Sequence, residues 1–274
     1  MNTKKIATIL ISIAFLLIVI ISGVGFLSVK KISVNYAVAD TTEAEQIQSV
    51  LDGFLNENLL LLDVEEVKDS LKDYHYFEVL SVKKQFPNVV EVSIKERREV
   101  YYVQYQGEYF VTTAEGFVLK SFDVGTVVGG VSVARDKIIL DLNGALGGLQ
   151  VKSIVPGSFI ETEDDSAMQT IFEMAKSVNL TDCIKKITVD KIHAGATSDY
   201  LYDYNVKFSA YSGVDICIEE VLIKGHEKAE KAFLAYDKIL TDYQKTFGEI
   251  QSILTYDGEY RVSYEQVLIM TDKP

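Results

Sequence analysis

The residues of this chain that could do chemistry are few and scattered. His75, His193 and His226 stand far apart. None falls in the His-x3-His, Cys-x2-Cys or His-Glu-x2-His spacing that brings two metal ligands to one side of a local element. Surface or capping histidines are the plainer reading. The acidic pairs Asp164-Asp165 and Glu219-Glu220 could in principle act as acid and base. Neighbours on a strand face opposite ways, and the first pair opens a helix, so solvated charge accounts for both. No Gly-x-Ser-x-Gly elbow or phosphate-cradling loop is present, and the paired glycines at 129–130 and 147–148 read as turns. Cys183 and Cys217 could pair in an oxidising compartment, yet two cysteines make no disulfide framework. Each sits in apolar, strand-like sequence that suits a buried thiol. No catalytic residue, cofactor site or metal site is expected.

The first element that positions anything is the uncharged run Ile6–Leu27, 22 residues interrupted only by Thr8, Ser12, Ser22 and two glycines. At about 1.5 Å per residue it reaches roughly 33 Å, enough for the ~30 Å hydrocarbon core of a bilayer. A cleavable signal peptide is the rival, but its apolar core would be shorter, and Gly23-Val24-Gly25 imitates a cleavage site poorly. No cysteine lies near the end of the run to suggest a lipoprotein. The pattern predicts a cytoplasmic tail at 1–5, a membrane helix at 6–27 and the remainder outside. Lys30 and Lys31 balance Lys4 and Lys5, and the α-amino group favours a cytoplasmic N-terminus.

All 40 acidic residues lie beyond Lys31, with 23 of the 27 basic ones, so the outer part carries −17. Such a charge excludes nucleic acid as a natural ligand and disfavours adhesion to anionic headgroups. Its length suffices for one large domain or two small ones.

Residues 30–98 read as β-α-α-β-β. Lys31–Val34 alternates like a half-buried strand. Thr42 with Glu45 has capping-box spacing, and Ile47, Val50, Leu51, Phe54 and Leu55 line one helical face. Asp63 with Glu66 repeats the arrangement ahead of Val67, Leu71 and Tyr74. In the closing strands Val90, Val92 and Ile94 face the core while Glu91, Ser93 and Lys95 face solvent, with a turn at Phe86-Pro87-Asn88. Two helices must then cover one face of a three-stranded sheet, close against the membrane.

Residues 99–264 are mostly strands. Tyr101–Tyr105 and Glu108–Val111 flank a two-residue Gln106-Gly107 turn. Further strands are expected at Lys137–Leu142, Gln150–Val155, Ile184–Val189, Tyr204–Phe208 and Val214–Ile218. Helices are expected at about Asp164–Val178 and His226–Phe247. The second presents an Ala229, Ala232, Phe233, Tyr236, Ile239, Leu240, Tyr243, Phe247 stripe and a Glu227–Lys231 pair. A hairpin turning at Asp257-Gly258 would join Ile250–Tyr256 to Glu259–Tyr264, leaving 265–274 as a frayed tail. The fold class is α+β, with a membrane helix, a small α+β domain and a β-rich domain containing two helices.

In this order the elements resemble the bacterial cell-division family FtsQ/DivIB, in which a tail and anchor precede a POTRA domain and a β-rich domain. The likeness is sharpest from Asn58–Asp63 through Phe77, Val79 and Val82 to Phe86–Arg97, which carries a hydrophobe-Pro-Asn…Glu-Arg signature. Tyr109-Phe110-Val111 with Glu115-Gly116-Phe117-Val118 is similar to the next hairpin, as are Lys238-Ile239-Leu240 and the strands after them. Glu99 replaces a common proline, Thr112 stands near the usual aspartate, and 121–150 matches poorly.

Tyr256, Tyr260 and Tyr264, with Arg261 among them, bring interface-type residues to a terminal strand that could accept another. From the residues alone, packing within the domain explains them equally well. The resemblance implies an interface that receives DivIC (FtsB) and FtsL, with Leu254, Tyr256, Tyr260, Arg261, Val262, Ser263 and Tyr264 as candidate partner-binding residues. It implies a non-enzymatic, single-pass scaffold at the division septum that supports septal wall synthesis. A membrane-anchored cell-wall hydrolase is the alternative, for which no nucleophile–base pair or metal cluster is visible. Polypeptide transport is disfavoured, since one POTRA-like unit is present and no barrel pattern follows.

Overall fold

The computed structural model describes residues 12–13, 26–36, 43–106, 108–123, 127–128, 131–132, 137–144, 147–177, 183–194, 201–211, 213–247, 258–263 and 266–272. The expected membrane helix at 6–27 lies outside them apart from residues 12–13 and 26–27. Among the described residues no helix is long and apolar enough to cross a membrane. The chain divides into two compact units, Met1–Arg97 and Arg98–Pro274.

The first unit has the expected order. Strand β1 (Lys31–Tyr36) leads to α1 (Glu43–Leu51), a 3-10 turn at Asp52–Phe54, α2 (Val64–Asp69), β2 (Phe77–Gln85) and β3 (Val89–Glu96). The sheet order is β1-β3-β2, with β1 parallel and β2 antiparallel to β3. Central β3 buries Val90, Val92 and Ile94 against Ile47, Leu51, Phe54, Val67 and Leu71 of the helical layer. Asp63 caps α2 by accepting a bond from the Glu65 N–H at 2.9 Å, one residue earlier than capping-box spacing implies; Thr42 lies outside the described residues. Glu91 is not simply solvated. It is half-buried, and its carboxylate accepts bonds from Asn35 on β1 at 2.6 Å and from Gln85 on β2. Arg97, the arginine of the signature, donates to the carbonyls of His75 (3.2 Å) and Phe77, fixing the start of β2.

The second unit is built on a nine-stranded sheet. Its elements are β4 (Tyr101–Tyr105), β5 (Glu108–Thr112), β6 (Val118–Asp123), β7 (Val127–Val128), β8 (Val131–Ser132), β9 (Ile138–Asp141), β10 (Val151–Ser153), β11 (Glu161–Thr162), α3 (Asp165–Ser177), β12 (Ile184–His193), β13 (Tyr202–Ala210), β14 (Val214–Ile218), α4 (Gly225–Phe247), β15 (Gly258–Ser263) and β16 (Gln266–Asp272). The large sheet runs β16-β15-β14-β13-β12-β9-β4-β5-β6, while β7-β8 and β10-β11 form separate pairs. Alternate residues of its strands, such as Val103, Leu140, Val189, Val206 and Ile216, bury one face against Met168, Ile171 and Phe172 of α3 and Ala229, Ala232 and Tyr236 of α4.

Gly148 has a structural reason. A Cβ there would lie 1.8 Å from the Leu142 carbonyl oxygen, so the loop closes on its own backbone only where no side chain intervenes. Residues 129–130 lie outside the description.

The closing elements differ from expectation. The region 250–256 is not described, and Gly258, expected in a tight turn, is the first residue of β15, paired with Val214. Residues 266–272, expected to fray, form β16. Its run Val267-Leu268-Ile269-Met270 does not alternate and no Gly or Asn turn introduces it, so the strand carries none of the usual hairpin marks; the open side of β15 supplies its partner. Glu227 contacts Lys224 at 3.9 Å instead of Lys231, and His226 contacts Glu230 at 3.2 Å.

Candidate protein-interaction site

The candidate residues centre on β15. This strand is parallel to β14 on one side and antiparallel to β16 on the other, so among the described residues it lies next to the edge and β16 is the edge itself. Tyr260, Arg261, Val262 and Ser263 fall on β15, whereas Leu254, Tyr256 and Tyr264 lie outside the described residues. Tyr260 and Val262 stand in register with Ile216 and Ile218, which are fully buried. Arg261 stands in register with Cys217, a residue only half-buried. Pairing between β15 and β16 shifts once: Glu259 faces Thr271, and Arg261 faces Leu268.

A parallel pair needs a crossover, and α4 provides it between β14 and β15. The start of that crossover is held by two buried charged groups. Lys228, 5% exposed, donates to the carbonyls of Glu219 and Glu220 at 2.6 and 2.8 Å. Asp203, fully buried, accepts through Oδ1 from the Tyr204 N–H at 2.7 Å and the Leu222 N–H at 3.0 Å. Its Oδ2 has no hydrogen-bond partner. Burial pushes the Asp203 carboxyl above the usual carboxylate range, against the two backbone donors and the Lys228 charge. Burial likewise lowers Lys228, against the nearby carboxylates. Glu220 and Lys224 take positive φ, 50° and 54°, and the Glu220 N–H is bound by the Asn205 side chain at 3.0 Å. The sequence signal for this latch is Lys228 itself, a cation four residues before Ala232 on the buried stripe of α4.

The other chemistry-bearing residues serve local structure. Asp164 caps α3 through the Ala167 N–H (2.9 Å), and Asp165 accepts from the backbone and hydroxyl of Thr162 (2.9 and 3.2 Å). Those bonds hold Asp165 below the usual carboxylate range. His193 stacks on Tyr202 with ring centres 5.1 Å apart. Cys183 and Cys217 are separate, half-buried thiols. Among the described residues no three His, Cys, Asp or Glu side chains gather as a metal site would require.

Comparison with known proteins places the first domain. Residues 27–97 match the family model for a POTRA domain of FtsQ type. The first domain is an FtsQ-type POTRA domain. The chain is also 24% identical over 137 residues to the cell division protein DivIB of Clostridium acetobutylicum, covering 50% of this chain and 49% of that one. The match thus spans about half the length of this curated relative. Both likenesses support the FtsQ/DivIB family for this chain.

Proposed function

We propose that this chain is a non-enzymatic, membrane-anchored scaffold of the bacterial division machinery, and that its second domain binds partners of the DivIC/FtsB and FtsL type by accepting a strand on β16. Residues 6–27 serve as the single-pass anchor, with the N-terminus cytoplasmic and the folded domains outside at the septum. The observation that carries the binding reading is the contrast between the two ends of the nine-stranded sheet. At one end β6 carries Lys120 and Asp123, charges of the kind that discourage edge-to-edge pairing. At the other end β16 also closes on an acidic residue, Asp272, but it places four successive apolar residues, Val267–Met270, with no lysine among them, on the edge of the sheet formed by the described residues. An added strand would take backbone ladder bonds from β16, with side-chain specificity from the strand and its neighbour. Arg261, in register with Cys217 on β14, is the β15 residue assigned to side-chain recognition by its type, since arginine is enriched where partners bind.

Proline substitution along the edge tests the assignment. N–H groups alternate in direction along a strand, so proline at Val267, Leu268 and Ile269 in turn samples both sides of β16. The full chain in nanodiscs is titrated with the outer segments of DivIC- and FtsL-type partners. At least one variant should keep the wild-type circular dichroism and melt while losing tenfold or more in affinity, about 1.4 kcal/mol. Wild-type affinity in all three folded variants would place the interface elsewhere.

A further inference from the structure

The second domain also carries a cleft of about 510 Å3 along α3. One wall is the turn between β5 and β6, and the other is the segment preceding α3. The cleft therefore lies toward the β6 side of the sheet, away from β16. Phe159 forms the aromatic wall. It is 57% exposed, yet its backbone bridges Phe117 and its ring meets the Phe117 ring edge-on at 5.3 Å. Met168 and Phe172 supply an apolar base. Gly116 lets the turn close over Phe172, since a Cβ there would be 2.4 Å from the ring.

A single exposed phenylalanine would mean little; the charge around this one is selective. Among the described residues Lys176 is the one basic residue lining the cleft, and it is bound to Glu115 at 3.0 Å. Asp165 is occupied by Thr162. Glu161 and Glu173 are exposed carboxylates on the rim. Glu173 accepts from the neutral Gln169 amide at 2.8 Å, and the nearby Lys152 charge acts on Asp165, so the cleft presents apolar surface bordered by carboxylates. From Asp165 to Lys176 the helix covers about 16 Å at 1.5 Å per residue, the reach of about five extended residues.

We propose that this cleft is a second protein-binding site, which takes a short, extended, cationic segment of a partner protein. One large apolar side chain would enter between Phe159 and Phe172, with flanking Lys or Arg residues against Glu161 and Glu173. The rim repels anionic lipid headgroups and phosphates, which sets a peptide apart from a membrane as the occupant. The site is independent of the edge on β16.

The test uses the full chain in nanodiscs of zwitterionic lipid and two fluorescent peptides, Lys-Arg-Phe-Lys-Arg and Lys-Arg-Ser-Lys-Arg, followed by anisotropy at about 0.15 M salt. The phenylalanine peptide should saturate and bind at least tenfold more tightly than the serine peptide. The exposed double change Glu161→Lys/Glu173→Lys should remove that binding tenfold or more, and Phe159→Ala should erase the preference between the peptides. Leu234→Ser, at a site 73% exposed on α4, should leave both unchanged. Equal affinity for the two peptides, or indifference to the charge reversal, would reduce the effect to diffuse attraction toward a chain of net charge −13 and overturn the proposal. Absence of saturable binding up to about 1 mM would overturn it as well.

Discussion

Replacing Asp203 separates two roles that the structure gives its carboxylate. Oδ1 satisfies two backbone donors, Tyr204 N–H on β13 and Leu222 N–H ahead of α4, and the group brings a buried negative charge near Lys228. Asp203→Ala strands both donors. A buried donor left unpaired costs about 1–3 kcal/mol, and release of the buried charge returns part of that, so a net loss of about 2–4 kcal/mol is expected. For a domain of this size 1 kcal/mol shifts the melting temperature by about 2–4 °C, which puts the expected drop at roughly 5–15 °C. Asp203→Asn keeps the acceptor oxygen and removes the charge, so its loss should be much smaller.

The pH dependence then carries a sign. The folded carboxyl is raised above its ordinary value, so the folded chain binds this proton more readily than the unfolded one. Its contribution to stability is fully present below the unfolded value of about 3.9 and is lost as pH rises through the folded value. The melting temperature of the wild type minus that of Asp203→Asn should therefore increase as pH falls from 7 toward 4. Differential scanning calorimetry of the full chain across this range reads both effects. A difference that shrinks on acidification, or an alanine variant melting within a degree of wild type, would refute the reasoning.

In the POTRA domain, Val92→Asp puts a carboxylate between Val34 and Val82 at a fully buried position, with an expected loss of several kcal/mol that leaves this domain unfolded by circular dichroism. Glu91→Lys should cost about 1–2 kcal/mol, because it loses Asn35 and Gln85 and faces Lys83 across the strands; equal melts for wild type and this variant would show those contacts to be idle. Gly148→Ala would bring a Cβ onto the Leu142 carbonyl oxygen, and Gly116→Ala would combine a φ of +80° with contact against Phe172. Each should lower stability by about 1–3 kcal/mol in denaturant titrations, whereas Gly53→Ala, with nothing within 4 Å, should be neutral or stabilising.

Periodicity made much of this architecture legible. The alternation at Val90, Val92 and Ile94 and the apolar stripes at Ile47–Phe54 and Ala229–Tyr236 each reappear as buried faces, because amphipathic spacing and burial are one constraint seen twice. Long-range pairing was not legible. Glu91 looks like a solvent-facing residue until β1 and β2 bring Asn35 and Gln85 beside it. Asp203 and Lys228 lie 25 positions apart, and neither spacing nor composition marks them as neighbours. β16 was missed because an unalternating apolar run at a terminus has no local signature. Only the tertiary fact of β15's unpaired side gives it a place.

The edge and the buried latch belong to one mechanical unit. β15 reaches its place beside β14 only through α4, and α4 packs on both of those strands. The crossover begins at a backbone held by Lys228, Asp203 and Asn205, where two residues occupy left-handed conformations that the chain would not adopt unaided. In the proposed strand addition, ordering those residues beforehand would remove part of the entropy that binding otherwise has to overcome. A buried carboxylate and a buried ammonium are poor devices for stability alone, since desolvation cancels much of their attraction. Their value here is positional. They fix where the crossover starts, and with it where the last two strands and the open edge of the sheet can form.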